Sequence, residues 1–294
     1  VQPHHVIVGH GGLVMGNPGD RPYPTDPISA PKMDDRLRDV RVGIIDTGIS
    51  QGADSDHSDW FAERYAKEAD DVDPAFSNGD VFALQGGHGT FVAGVIQGAA
   101  PGVTFDPEIA LDANGFGDEE RLCRKITELG RKKINVLNLS LGCFTEDDVA
   151  SEPLRRTIAA LPDDIVVVAS AGNSGTQRPS WPAALCGVTA VAAAEQTKDG
   201  AIVPAWYSNW GHWVDACAIG NRASTYLKGE WKLPGEASTP FALWAYWYGT
   251  SFAAPMVTGR IAATMASDGI TAAQARDKLL SEPEFAPGYG VFVK

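Results

Sequence analysis

The chain has 294 residues, 44% of them hydrophobic, with a formal net charge of -13 and a pI near 4.8. That is long enough for a large core, and the acidic balance sets nucleic acid and anionic membranes aside as partners. No apolar run approaches the ~20 residues that cross a bilayer, and the opening VQPHHVIVGHGG lacks the charged and apolar regions of a secretory signal, which predicts either a cytoplasmic protein or one whose leader has been removed.

Residues 1–40, rich in Pro and Gly (GNPGDRPYPTDPISAP), read as an arm lying over the surface of one domain that fills 1–294. VRVGIIDTG then predicts a buried strand, and HGTFVAGVIQG a helix. DEERLCRKITELGRK predicts the next helix, with Asp118 and Glu119 suited to its first turn and Arg131 and Lys132 to its last. INVLNLSLG, IVVVASAG and GVTAVAAA are short, branched and ended by glycine or a polar turn, as buried strands are. SEPLRRTIAAL lies among them as a helix, and SFAAPMVTGRIAATMAS and TAAQARDKLLS close the series. The alternation predicts an α/β fold: a mostly parallel sheet with helices on both faces. Ligands of such sheets bind beyond the carboxyl ends of the strands, where Asp46, Ser140 and Asn173 fall.

Three segments carry chemistry together. Asp46 follows a strand in IIDTGIS, His88 opens a helix in GGHGTFVAG, and Ser251 opens another in YGTSFAAPMVTG. Each alone is also an ordinary turn residue, surface histidine or helix cap. Jointly they supply a hydroxyl nucleophile, a base that works near neutral pH and a carboxylate that orients the base. Pro255 falls in the first turn of the Ser251 helix, where a missing N–H is harmless.

DTG, HGT followed by VAG, and GTS followed by AP resemble the three signatures of the subtilisin-type serine proteases, the subtilase family, in their order and from about Val40 to Met265. The resemblance implies a three-layer subtilisin-like architecture and a serine endopeptidase with Asp46, His88 and Ser251 as triad. SAGNSG matches the segment bearing the family's oxyanion asparagine, which would be Asn173, with the Ser251 backbone N–H as second donor. It also implies that a peptide or protein substrate lies as an added strand between Ser140-Leu141-Gly142 and Asn114-Gly115-Phe116-Gly117. The primary pocket would lie between the first of these and Ala171-Gly172, with Ser180 near its floor. Phe116 either narrows the subsite four residues before the cut or is a turn aromatic. Asp112, Asp118, Glu119 and Glu120 either favour basic residues upstream of the cut or form a solvated turn and helix start.

The chain departs from the family in several places. The helix opened by His88 passes directly into AAPG, so the loop that holds calcium in many secreted relatives is missing and calcium stays open; the chemistry requires no cofactor or metal. Thr47 stands where the dibasic-cutting branch has a second aspartate, and Phe91 and Met256 replace histidines common in the motifs. Residues 221–248 hold Trp231, Trp244, Trp247 and three tyrosines, as a groove wall or as a hairpin packed on the body. No propeptide is visible, although the resemblance implies one that is cleaved.

The four cysteines fit two disulfides or four thiols; if oxidised, strand and helix ends favour Cys123–Cys143 and Cys186–Cys217. The resemblance further implies a cis bond at Trp181-Pro182, a monomer and an extracellular setting. Other readings are a peptide-binding relative without turnover, a processing protease for one peptide, and an acyl-transferring, ligase-like relative. A nucleotide-binding enzyme is disfavoured because no G-x-G-x-x-G follows a strand.

Overall fold

The computed structural model describes residues 4–9, 21–62, 64–65, 71–78, 81–232 and 235–294, so part of the Pro/Gly-rich arm lies outside the described residues. Strands and helices are numbered along the chain. The central sheet has the order β16 (Glu284–Ala286), β17 (Gly290–Phe292), β13 (Ala216–Ile219), β11 (Val188–Gln196), β10 (Val166–Ser170), β8 (Val136–Leu139), β3 (Arg41–Asp46) and β6 (Thr104–Ile109). All pairs from β17 to β6 are parallel. Only β16 and the short β12 (Ile202–Pro204), which pairs with β11, run antiparallel.

Every residue of β8 and β10 is buried, as expected for parallel strands covered on both faces. Alternation along the strands separates two cores. Ile45, Leu137, Leu139, Val167 and Ala169 pack with α4 (Glu119–Arg131) and α5 (Glu152–Ala159) through Leu122, Ile126, Leu129, Leu154 and Ile158. Val136, Val166 and Val168 face α6 (Thr250–Asp268) and α7 (Ala272–Leu280) on the other side, while Val42 and Ile44 share a cluster with α3 (His88–Ala99). Helix ends follow their capping chemistry: Asp118 accepts from Arg121 N–H, Ser151 from Leu154 N–H, and Thr271 forms a capping box with Gln274. Two single-turn helices, α1 (Ala53–Asp56) and α2 (Ser58–Phe61), precede α3.

Two smaller sheets complete the molecule. One has the order β2 (Tyr23–Pro24), β15 (Thr239–Tyr248), β14 (Asn221–Trp231), β5 (Val81–Phe82) and β4 (Phe76–Asn78). The aromatic segment 221–248 is thus an antiparallel hairpin, β14 with β15, laid against α3. The close approach falls at Gly94, where a Cβ would stand 2.2 Å from Thr225 Oγ1 and 2.4 Å from Ser224 Oγ. The other sheet has the order β7 (Phe116–Asp118), β1 (Val6–Gly9) and β9 (Leu141–Gly142). The arm expected on the outer surface therefore contributes a strand, β1, between two segments expected to bind substrate.

Trp181-Pro182 is cis, as expected. The disulfides are not: all four cysteines are free. Cys217 is in register with Ala192, whereas Cys186 precedes the start of β11 at Val188. Four residues of strand, roughly 13 Å, separate those levels, well past the ~7 Å at which a bridge fails. Burial raises the Cys123 thiol and pushes the Cys143 thiol up to about 12.

Candidate active site

Asp46 is the last residue of β3 and His88 the first of α3, and both are buried. His88 Nδ1–H donates to Asp46 Oδ1 at 2.7 Å, and Thr47 N–H donates to the same oxygen at 2.8 Å. The carboxylate thus fixes the proton on Nδ1 and leaves Nε2 as the acceptor. Nε2 is buried without a hydrogen-bond partner. Rings hold the imidazole in place: Trp247 edge-on with centroids 5.6 Å apart, and Phe252 tilted at 5.4 Å. Phe91, which replaces a histidine common in the resembling motif, packs on Phe252 at 4.4 Å and on Trp247 at 5.8 Å. The hairpin thus backs the histidine.

Asp73 lies beneath this pair and carries no motif in the sequence. It is buried, accepting from Thr47 Oγ1 at 2.7 Å, Gly87 N–H at 2.9 Å and Ala75 N–H at 2.7 Å. Thr47 Oγ1 in turn accepts from Gly89 N–H at 3.1 Å. One carboxylate therefore ties the turn after Asp46 to the start of the His88 helix. Burial raises its pKa to about 7, outweighing the three donors that favour the anion.

Ser251 lies in the first turn of α6, and its Oγ donates to the Ser140 carbonyl at 3.1 Å. It is not hydrogen-bonded to His88, so the serine–histidine contact that the chemistry needs requires rotation of the serine side chain. Pro255 lies inside α6, not in its first turn as expected, so its missing N–H is not harmless: the Ser251 carbonyl, which would ordinarily accept from the N–H four residues on, gets none. Ser140 Oγ donates instead, at 2.9 Å. Asn138 Nδ2 donates to Ser140 Oγ at 3.0 Å, and Thr258 Oγ1 donates to Asn138 Oδ1 at 2.9 Å. A buried polar chain thus locks the serine turn to the end of β8.

Asn173 Oδ1 accepts from Thr250 N–H and Thr250 Oγ1, both at 2.9 Å. Since those donors face the oxygen, the orientation of the amide is fixed. Thr250 Oγ1 also accepts from Gly172 N–H at 3.0 Å. The serine turn and the asparagine turn are therefore one hydrogen-bonded unit, with Ala171 and Gly172 buried in it.

Of the remaining expected residues, Ser140, Leu141 and Gly142 are buried at the end of β8 and in β9. Asn114 and Phe116 are exposed, and Gly115 turns at φ 84° with Asp112 Oδ1 accepting from both Asn114 N–H and Phe116 N–H. At Gly117 a Cβ would stand 2.2 Å from the Ala110 carbonyl. Ser180 is buried beside Trp181, whose N–H and C=O both bond Cys143 at 2.9 Å. The sequence missed Asp73, Thr250, Asn138 and Thr258. The threonine before the serine, inside GTS, is the available signal for Thr250.

Helix α3 runs unbroken to Ala99. Among the described residues no cluster of three His, Cys, Asp or Glu is placed to hold a metal ion, and no helix is long and apolar enough to cross a membrane.

The chain is similar to known proteins over most of its length. The sequence profile of the Subtilase family matches residues 38–284. The chain is 31% identical to a thermophilic serine proteinase of Bacillus sp. (strain AK1), over 86% of this chain and 58% of that one. It is 30% identical to the minor extracellular protease Epr of Bacillus subtilis (strain 168), over 65% and 28%. With thermitase of Thermoactinomyces vulgaris it shares 29% over 92% and 91%. The chain thus spans well under two thirds of the first two relatives and most of the third. A crystal structure of a lanthipeptide protease superposes with a TM-score of 0.65 at 25% identity, covering 87% of this chain and 86% of that one.

Proposed function

The chain belongs to the subtilase family of serine proteases and has its subtilisin-like α/β fold, and from that premise we propose that it is a serine endopeptidase working through Asp46, His88 and Ser251. The observation that carries the proposal is the buried His88, bonded to Asp46 at Nδ1 and unpartnered at Nε2, packed on the residue next to Ser251.

In this scheme the Ser251 hydroxyl turns from the Ser140 carbonyl to His88 Nε2, gives up its proton and attacks the scissile carbonyl. Asp46 stabilises the imidazolium that forms. The Asn173 amide N–H and the Ser251 backbone N–H, at the positive end of α6, stabilise the oxyanion. His88 then passes its proton to the leaving amine, and water releases the acyl group by the same route in reverse. Every proton is carried by a named side chain, so the scheme calls on no metal or organic cofactor. The substrate backbone lies between residues 140–142 and 114–117, with the primary pocket bounded by Ala171, Gly172 and Ser180. Work outside the cell is part of the proposal, supported by the likeness to Epr.

A serine-directed phosphonate tests the scheme. It should add one adduct, at Ser251, and none to Ser251→Ala or His88→Ala; a wild-type chain that stays unlabelled while folded would overturn it. A narrower reading is a processing protease for one class of peptide. The likeness to a lanthipeptide protease and the strand β1 between the two proposed walls favour it.

A further inference from the structure

The sheet β7-β1-β9 joins segments far apart in the chain. Its outer strands belong to the segments proposed above as walls of the peptide groove, and its middle strand is the chain's own β1. Val8 is in antiparallel register with both Phe116 and Gly142, Ile7 with Gly117 and Gly9 with Leu141. Gly9 N–H also donates to the Gly115 carbonyl at 2.9 Å. This is strand addition, with backbone bonds to both walls. The direction is that of an acyl-side peptide. The strand's C-terminal residue, Gly9, is level with Leu141, next to Ser140, whose carbonyl holds the Ser251 hydroxyl.

The side chains are specific as well. Ile7 is fully buried in the apolar cluster of Ala110, Leu111, Leu122, Ile126 and Leu141, while Val6 on the opposite face of the strand is 61% exposed. Phe116, in register with Val8, is 51% exposed. At Gly9 a Cβ would stand 3.2 Å from Leu111 Cδ1 and 3.5 Å from Gln85 Oε1, which makes that subsite tight. Upstream, His5 Nδ1 lies 2.8 Å from Glu119 Oε2 in a largely buried pair, and His4 Nε2 lies 3.4 Å from Asp118. The acidic rim thus receives two imidazoles of the same chain, and Asp118 caps α4 at the same time.

We infer that residues 4–9 are an intramolecular peptide ligand that fills the acyl side of the groove, and that their side chains specify the peptide class the groove takes. That class has basic or imidazole residues facing Asp118 and Glu119, a branched aliphatic residue at the Ile7 place and glycine at the Gly9 place. The inference rests on the proposed groove but not on turnover. The resident strand competes with any peptide offered in trans, at a high effective concentration because it is tethered.

The test is binding of a fluorescein-labelled HHVIVG amide, read by anisotropy with Ser251→Ala chains so that catalysis plays no part. The peptide should bind Ser251→Ala/Ile7→Glu at least ten times more tightly than Ser251→Ala alone, because a carboxylate cannot occupy the apolar subsite and β1 leaves. Gly9→Val, which crowds Leu111, provides the same displacement if Ile7→Glu does not fold. A labelled HHVEVG amide should not bind either displaced chain. Equal binding of HHVIVG to the occupied and displaced chains, each folded by circular dichroism, would overturn the inference. If phosphonate labelling of Ser251 fails while the peptide still separates the two chains, the groove assignment stands and the serine mechanism falls.

Discussion

Ser140 and Ser251 exchange hydrogen bonds: Ser251 Oγ donates to the Ser140 carbonyl at 3.1 Å, and Ser140 Oγ donates to the Ser251 carbonyl at 2.9 Å. The second bond exists because Pro255 withholds the helix donor that the Ser251 carbonyl would otherwise use. Ser140→Ala should therefore destabilise the fold by about 1–3 kcal/mol, the cost of leaving a buried acceptor unmade. Restoring an N–H with Pro255→Ala should shrink that cost. A double-mutant cycle by urea unfolding measures it, and strict additivity of the two substitutions would contradict the relationship.

In the proposed scheme Thr250 serves catalysis by holding the Asn173 amide. In subtilisin the known cost of removing the oxyanion asparagine is ~10²–10³ in turnover, and Asn173→Ala should fall in that range with KM little changed. Thr250→Val leaves the amide in place but removes one of its anchors and a partner of Gly172 N–H. Its kcat should drop by a smaller factor, about tenfold, since a loosened donor is misplaced rather than lost. Steady-state kinetics that show a KM effect instead would assign Thr250 to substrate binding.

Asp73 gives the stability a pH dependence. Its folded pKa is raised from 3.8 to about 7, so between those values the folded state holds a proton that the unfolded state has released. Stability from this group is then full below about pH 4 and is lost as pH rises through about 7. Asp73→Asn should flatten that part of the profile, as read from denaturant midpoints between pH 4 and 8, even if the variant is less stable throughout. A wild-type profile that rises across the window by the amount this variant lacks would reverse the sign and refute the assignment.

Thiol counting checks the cysteines. Denatured, unreduced protein should titrate four thiols, and native protein should react rapidly at the exposed Cys186 while the buried Cys143 and Cys217 stay protected. Burial pushes both of these thiols up to about 12, which suppresses the reactive thiolate. Fewer than four thiols in the denatured chain would restore a disulfide.

The orientation of β1 bears on the chain's own fate. Its C-terminal end leads toward Ser251, the proposed nucleophile, so active protein on standing should be cut at a bond beyond Gly9, with Ser251→Ala staying intact. Intact-mass spectrometry reads this directly, and cleavage that proceeds equally in Ser251→Ala would trace it to another protease.

Much of the molecule is legible from local chemistry. The branched runs around Ile44, Leu137 and Val167 are strands because both faces are covered, and α4 starts at Asp118 because that carboxylate caps it. The residues proposed as a triad stand out in the sequence because their motifs sit at a strand end and at helix starts. What escaped is long-range. VIVG is a strand only because partners more than 100 residues away flank it. The stretch containing Trp244 and Trp247 is core support because its hairpin lies on α3. Asp73 sits in the turn DVDPAF, which has no local signature for a buried carboxylate. The cysteine pairing failed because strand ends adjacent in sequence order differ in level once the register of β11 and β13 is set.

The most direct measurement is a cleavage profile against a mixed peptide library, taken with the wild-type and Ile7→Glu chains and with Ser251→Ala as control. The triad predicts internal peptide-bond cleavage by both active chains, stronger in Ile7→Glu, and at least ~10³-fold weaker in Ser251→Ala. No cleavage by a folded Ile7→Glu chain, or cleavage undiminished in Ser251→Ala, would contradict it.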